Sequence, residues 1–315
     1  MTRKRMRIAD GSGKREASYN RGPLKTLFLI NARSGTNRKR DVASLIKLTC
    51  NWDHEIVPCG SKEELDDVIA SARTRGVRAV FAVGGDGTIH EVAKRLIGSD
   101  VALGVIPTGS GNGFARHLGL PIDVRKAICA VCDLRVETID TATVNGTPFI
   151  NMMGIGFDAW IADAFANAGT RGMLTYLRVG LRGLAGYESE EYEVTVDGVT
   201  TRHRAFVIAV ANASQYGNNA RIAPLASMQD GILDVTLIEH GPLLRVPILA
   251  AQLFGGKFHR ARGVLTMRGR SIVLRRAAAG AAHLDGEPVT LPSILTIEIV
   301  PGSLRVIVPM SARAL

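Results

Sequence analysis

The stretch Val83-Gly84-Gly85-Asp86-Gly87-Thr88 places three glycines and a carboxylate in one short run. Backbone without side chains can close its N–H groups around a phosphate, and a helix starting there adds unpaired N–H groups and the positive end of its dipole. A carboxylate in an anion site is repelled unless a divalent cation lies between, so Asp86 reads as a magnesium ligand, direct or through water. Further on, Ile106-Pro-Thr-Gly109-Ser110-Gly111-Asn112-Gly113 has the same character, and Asn31-Ala32-Arg33-Ser34-Gly35 is a third small-residue loop. With Arg33 and Arg116 beside them, the three loops describe a nucleoside triphosphate site. It is not a Walker A loop, because no G-x-x-x-x-G-K-[ST] occurs, and no G-x-G-x-x-G follows the first apolar run.

Each loop must be held by the elements around it. Apolar runs at Thr26–Asn31, His54–Val57, Arg78–Val83, Val101–Ile106 and Arg135–Ala142 read as strands. Helical spacing appears at Asp41–Thr49, Ser61–Arg75, Thr88–Ile97 and Val124–Cys132, the second opened by the capping box Ser61-x-x-Glu64. This alternation predicts a parallel sheet covered on both faces, with all three loops at the carboxyl edge of their strands, where open α/β sheets bind ligands. After Asp140 hairpin signals take over: Asn145-Gly146 and Asp197-Gly198 separate strand-like runs. Strands are expected at 202–211, 232–239, 264–267, 271–275, 294–300 and 304–308, with helix within 159–187. The expected organisation is a basic arm over 1–22, an α/β nucleotide domain over 23–140, an antiparallel β-sandwich domain over 141–300, and a terminal strand over 301–315 that returns to the first domain.

The chain has 315 residues, 46% hydrophobic, with 39 Lys+Arg against 29 Asp+Glu. That excludes a disordered chain and allows two domains with real cores. Residues 1–22 carry seven basic and two acidic side chains, without an apolar run that would make a secretory signal. No segment is long and apolar enough to span a bilayer; the best, Leu243 to Phe254, contains Arg245 and Pro247. A cytoplasmic protein is expected. Aromatic residues are only 5% and do not interleave with basic ones, which speaks against nucleic-acid binding. Cys50, Cys59, Cys129 and Cys132 lack the spacing of a complete metal site and read as small buried hydrophobes.

Taken together, the loops resemble the diacylglycerol kinase catalytic-domain family, which includes bacterial soluble lipid kinases, sphingosine kinases and ceramide kinases. Gly-Gly-Asp-Gly-Thr alone is shared with NAD kinases and phosphofructokinases. The resemblance is carried further by Gly154-Ile-Gly-Phe-Asp158, Tyr216-Gly-Asn, Ile222-Ala-Pro224, Asp230-Gly-Ile-Leu-Asp234 and Leu284-Asp-Gly-Glu287. It implies an ATP- and Mg²⁺-dependent lipid kinase in which Asn31, Ala32, Arg33, Ser34, Gly35, Gly84, Gly85, Asp86, Gly87, Thr88, Ile89, His90, Gly109 and Ser110 contact ATP and Asn112 supports its loop. It further implies a structural magnesium on Asp230 and the backbones of Ser227 and Ile232, and a general base at Asp285 or Glu287. From the residues alone, Asp285-Gly286 and Asp230-Gly231 are equally ordinary turns. Ser110-Gly-Asn-Gly113 looks closer to the sphingosine and ceramide kinases than to typical bacterial diacylglycerol kinases, so the acceptor is left between diacylglycerol and a sphingoid lipid. A lipid substrate implies peripheral membrane contact, and a homodimer is among the expected states. The competing readings are a kinase of a soluble metabolite such as NAD, and a non-enzymatic nucleic-acid-binding or regulatory protein. Trp160, Phe165, Leu174, Tyr176, Leu177 and Leu181 are candidates for an acyl-chain cleft or for core. Arg171, Arg178, Arg182, Lys257, Arg260 and Arg262 are candidates for headgroup contact or for a solvated face.

Overall fold

A computed structural model describes residues 25–31, 36–131, 134–166, 183 and 186–310. The basic arm, Ala32, Arg33, Ser34, Gly35 and Cys132 lie outside the described residues, as do Arg171, Leu174, Tyr176, Leu177, Arg178, Leu181, Arg182 and the side chain of Phe165. The chain divides into two compact units, one running to Ile139 and resuming at Gly302, the other Asp140–Pro301.

In the first unit β1 (Thr26–Asn31), β2 (His54–Cys59), β3 (Ala79–Gly84) and β4 (Ala102–Pro107) are parallel, in the order β2-β1-β3-β4. Residues from Gly302 onward add a further parallel strand, with Val306 opposite Leu103. β3 and β4 are buried along their whole length, as expected of strands covered on both faces. The covering helices are α1 (Thr36–Thr49), α2 (Lys62–Thr74), α3 (Asp86–Leu96), α4 (Gly113–His117) and α5 (Val124–Ala130). The capping box forms: Ser61 Oγ accepts from Glu64 N–H while Glu64 Oε2 accepts from Ser61 N–H. Phe28 and Phe81 stack with ring centroids 4.9 Å apart, in a core with Ile30, Ile46, Ile106 and Ile128. The cysteines are not all buried, contrary to their reading as small hydrophobes. α5 turns Ala127 and Ile128 inward, which leaves Cys129 exposed, and Cys59 is only half-buried, although Cys50 is buried as predicted.

The second unit is an antiparallel β-sandwich domain. Its strands are β5 (Leu134–Val144, shared with the first unit), β6 (Thr147–Phe149), β7 (Met152–Gly156), β8 (Glu190–Val196), β9 (Val199–Ala211), β10 (Leu233–Glu239), β11 (Val264–Gly269), β12 (Ser271–Arg275), β13 (Gly280–Leu284), β14 (Glu287–Leu291) and β15 (Ile294–Pro309). Neighbours run β14-β13-β7-β9-β8-β12-β15, with β10 also on β9 and β11 on β10. Asn145-Gly146, Asp197-Gly198 and Asp285-Gly286 all have positive φ, between 47° and 88°, the geometry of a two-residue hairpin turn. Met153, Ile155, Ile208, Val210, Val235 and Leu295 close the core. Two predicted strands, 294–300 and 304–308, are one continuous β15. Helices are α6 (Phe157–Ala166) and α7 (Val246–Phe254). α7 escaped the periodic reading because its apolar residues go all the way round.

Candidate active site

In the first unit, the loops after β3 and β4 close on each other. Thr108 N–H donates to Gly84 O at 2.9 Å, and a Cβ on Gly109 would stand 2.6 Å from Gly85 Cα. Side chains at either position would force the loops apart. Asp86 is the first residue of α3, at a helix start where a carboxylate is favoured. A Cβ on Gly111 would lie 3.0 Å from its Oδ2, so the second loop crosses directly over the Asp86 carboxylate.

Asn112 holds the second loop in shape. It is 2% exposed in the left-handed conformation (φ 51°), its Oδ1 accepts from Gly109 N–H at 3.1 Å, and its Nδ2 donates to Gly109 O at 2.9 Å. One side chain thus satisfies both main-chain groups of the glycine that touches the other loop. Arg116 Nε donates to Gly111 O. Asn31, at the end of β1, donates Nδ2 to Thr88 Oγ1 at 2.7 Å, tying the first strand end to α3. Thus Asn31, Gly84, Gly85, Asp86, Gly87, Thr88, Gly109 and Asn112 come together at one sheet edge. Ser110 is exposed, whereas the side chains of Ile89 and His90 are buried in α3 and the Ile89 N–H already donates to Gly85 O at 3.1 Å. The donor set fits a magnesium-bound triphosphate: glycine N–H groups at a helix start, and one carboxylate.

The second unit gathers a different set. Asp285, at the β13–β14 turn, accepts from the N–H groups of Ile150 (2.9 Å), Asn151 (2.7 Å) and Met152 (2.9 Å). Its carboxylate is committed to the β6–β7 backbone. Glu287, two residues on, is exposed and makes no side-chain hydrogen bond or ion pair with the described residues.

Behind that turn is a buried cluster that the sequence reading did not assemble. His283 Nε2 donates to Asp158 Oδ2 at 2.8 Å, and Tyr216 donates its hydroxyl to the same oxygen at 2.5 Å. His283 Nδ1 accepts from Gly286 N–H at 3.3 Å, which places the proton of the neutral ring on Nε2. Burial opposes the imidazolium, but the charge and hydrogen bond of Asp158, with the charge of Asp285, outweigh it and raise His283 above its ordinary 6.5. A Cβ on Gly154 would lie 2.3 Å from Asp158 Oδ2 and 2.4 Å from His283 Nε2, so the pair needs glycine there. Gly154, Asp158 and Tyr216 stand in the family-like blocks, and His283 lies one residue before Leu284-Asp-Gly-Glu287, the one sequence signal that points to it.

The third turn is occupied differently from expectation. Asp230 Oδ2 accepts from Arg268 Nη2 at 2.5 Å and its Oδ1 from Ile232 N–H at 3.1 Å, while Arg268 Nε also meets Asp234 at 3.3 Å. Ser227 Oγ accepts from Gln229 N–H. A guanidinium balances this carboxylate in the structure. Among the described residues, no group of three or more acidic, His or Cys side chains is placed to hold a metal ion.

Residues 25–144 match the diacylglycerol kinase catalytic domain, and residues 151–308 match the YegS C-terminal NAD kinase beta sandwich-like domain. A Salmonella arizonae protein named a probable lipid kinase YegS is 28% identical over 90% of this chain and 96% of its own. A Mycobacterium tuberculosis diacylglycerol kinase is 29% identical over 79% of this chain and 83% of its own. A crystal structure described as that of a putative diacylglycerol kinase from Bacillus anthracis str. Sterne has the same fold: TM-score 0.78 at 23% identity, over 92% of this chain and 99% of that one. With the two domain matches following one another along its length, the chain belongs to the diacylglycerol kinase catalytic-domain family.

Proposed function

We propose that the protein is an ATP- and magnesium-dependent lipid kinase that phosphorylates the primary hydroxyl of diacylglycerol or a sphingoid-type lipid. The observation that carries this reading is the contact of two glycine loops over Asp86, with Gly109 against Gly85. Phosphoryl transfer asks a protein chiefly to position the triphosphate, balance its charge and orient the acceptor. The backbone N–H groups of residues 84–88, 110 and 111 hold the phosphates, Asn112 keeps Gly109 in place beneath them, and Asn31 through Thr88 keeps the strand end against them. Magnesium, when bound, offsets phosphate charge at Asp86. The lipid hydroxyl oxygen bonds to the γ-phosphorus as the bond to the β–γ bridging oxygen breaks, and ADP leaves. The hydroxyl proton goes to a carboxylate, for which Glu287 is the better candidate because Asp285 already holds three N–H donors. Such an enzyme works on membrane lipid, so peripheral association with a cytoplasmic membrane face belongs to the same proposal.

The test is phosphorylation of diacylglycerol, sphingosine and ceramide in separate mixed micelles with labelled ATP and Mg²⁺, beside a lipid-free NAD reaction. Label in one lipid, lost in Asp86→Ala and reduced in Glu287→Gln, supports the reading and names the acceptor. Label in NAD alone would replace it with a soluble-metabolite kinase. Failure to bind ATP would leave the regulatory and nucleic-acid readings.

A further inference from the structure

A helix on the surface of a water-soluble unit is expected to turn its polar side outward. α7 does the reverse. Its inner residues Leu249 and Leu253 pack on Ile222, Ala223 and Phe258. Its outer stripe is also apolar, with Leu244 in the preceding 3₁₀ turn 87% exposed, Ile248 61% and Phe254 48%. Pro247 and Ala251 continue the stripe. The spacing 244, 248, 251, 254 is that of one helix face.

Along the chain that forms and follows this stripe, charge has one sign. From residue 240 to 284 the chain contains no Asp or Glu. Arg221, Lys257, Arg260 and Arg262 are exposed, and none is in an ion pair among the described residues. Arg221 belongs to the helix border, since its N–H donates to Leu253 O at 3.0 Å and its side chain lies against Gly256. An apolar stripe rimmed by unpaired cations matches a surface with hydrocarbon beneath anionic headgroups. A second copy of this face would bring cations against cations, which a symmetric contact cannot avoid. At nine residues α7 is about 14 Å long, so it would lie in the interface rather than cross.

We propose that the outer face of α7, with its basic rim, is the surface by which the protein docks on an anionic lipid bilayer. This rests on the lipid-kinase reading for its purpose, but its observations are separate from the glycine loops.

The full chain is mixed with vesicles of phosphatidylcholine alone, or of phosphatidylcholine with phosphatidylglycerol, and floated on a density gradient. The unsubstituted protein should float with the anionic vesicles, less so with neutral ones and less as salt rises. Leu244→Asp with Ile248→Asp should weaken flotation by about tenfold or more, since each change removes a buried aliphatic side chain from the membrane. Lys257→Glu with Arg260→Glu should abolish the preference for anionic vesicles. The arm over residues 1–22 is present in every variant, so any loss reads on the α7 face. Both double variants change exposed side chains, and circular dichroism melts should match the parent. Flotation of the aspartate variant at the parent's level overturns the proposal. So does light scattering that shows a dimer dissociated by those substitutions, which would assign the face to a second copy. Activity on a dispersed short-chain diacylglycerol separates the two readings. Retained there but lost on vesicles, it supports docking; activity absent in the parent on dispersed diacylglycerol, sphingosine and ceramide alike, while vesicles still bind, removes the lipid-kinase reading and leaves the docking surface standing.

Discussion

His283 donates Nε2–H to Asp158 Oδ2 across 2.8 Å, and both side chains are all but excluded from water. The imidazole's other nitrogen receives Gly286 N–H, so the turn that carries Asp285 and Glu287 is latched to a buried acid on α6. Tyr216 completes the latch from a third segment. A buried polar set of this kind is costly unless each member is satisfied, and here each one has a partner.

Asp158→Asn leaves His283 buried without its carboxylate. Burial alone disfavours the imidazolium, so the His283 pKa should move from above 6.5 to below it. Imidazole NMR titration checks this, and an unchanged titration would remove the pairing. The sign of the stability effect follows from the raised folded value. The pair's contribution is fully present below the unfolded histidine's 6.5 and is lost as pH rises through the folded value. The gap in Tm between parent and variant should therefore narrow on going alkaline. If Glu287 is the base, kcat should also fall by about tenfold or more with KM for ATP unchanged, because the turn rather than the nucleotide loops has lost its hold.

Chelation should leave the second unit's acidic turn intact. Arg268 already balances Asp230, so EDTA should not lower Tm. Arg268→Ala, by contrast, leaves Asp234 buried without its cation. Burial raises the Asp234 carboxyl and Arg268 opposes that rise, so removal should destabilise by roughly 1–2 kcal/mol. A chelator-induced drop in Tm of the parent protein would contradict the arrangement.

Gly109→Ala puts a methyl 2.6 Å from Gly85 Cα, where only backbone could yield. Displacing reacting groups by even an ångström can cost about a hundredfold in rate. Activity and nucleotide binding, read by isothermal titration with ATP, should fall together. Gly98→Ala is no matched control because its φ is 71°, so Gly186→Ala, where an added Cβ meets nothing within 4 Å and φ is not positive, serves instead.

Acid should loosen the α2–α3 side of the first unit. Burial works against ionised Glu91, but hydrogen bonds from Arg95 at 2.8 Å and Lys62 at 3.0 Å outweigh it and hold the carboxyl at about 2, against 4.5 unfolded. The contribution is present above 4.5 and disappears as pH falls toward about 2. Melts of Glu91→Gln against the parent should differ near neutrality and converge in that window.

The nucleotide half of this protein is written locally. Glycine spacing, a capping box and the alternation of strand and helix patterns are properties of a few consecutive residues, and β1 through α5 follow them, except that α1 starts at Thr36 rather than Asp41. The hairpins at Asn145-Gly146 and Asp197-Gly198 were legible for the same reason, since Asn, Asp and Gly tolerate positive φ. What only tertiary structure decided are relationships between distant segments. Asp158 meets His283 across 125 positions, and Arg268 reaches Asp230 across 38. No sequence period encodes such pairs, because antiparallel strand order, not chain order, brings them together. The turn at Asp285 shows both regimes at once: its residues announce a hairpin, but only the neighbouring β6–β7 backbone shows that Asp285 is held and Glu287 is open. The outward apolar face of α7 is likewise a tertiary fact, since a run that is apolar on every side does not reveal which side the core will cover.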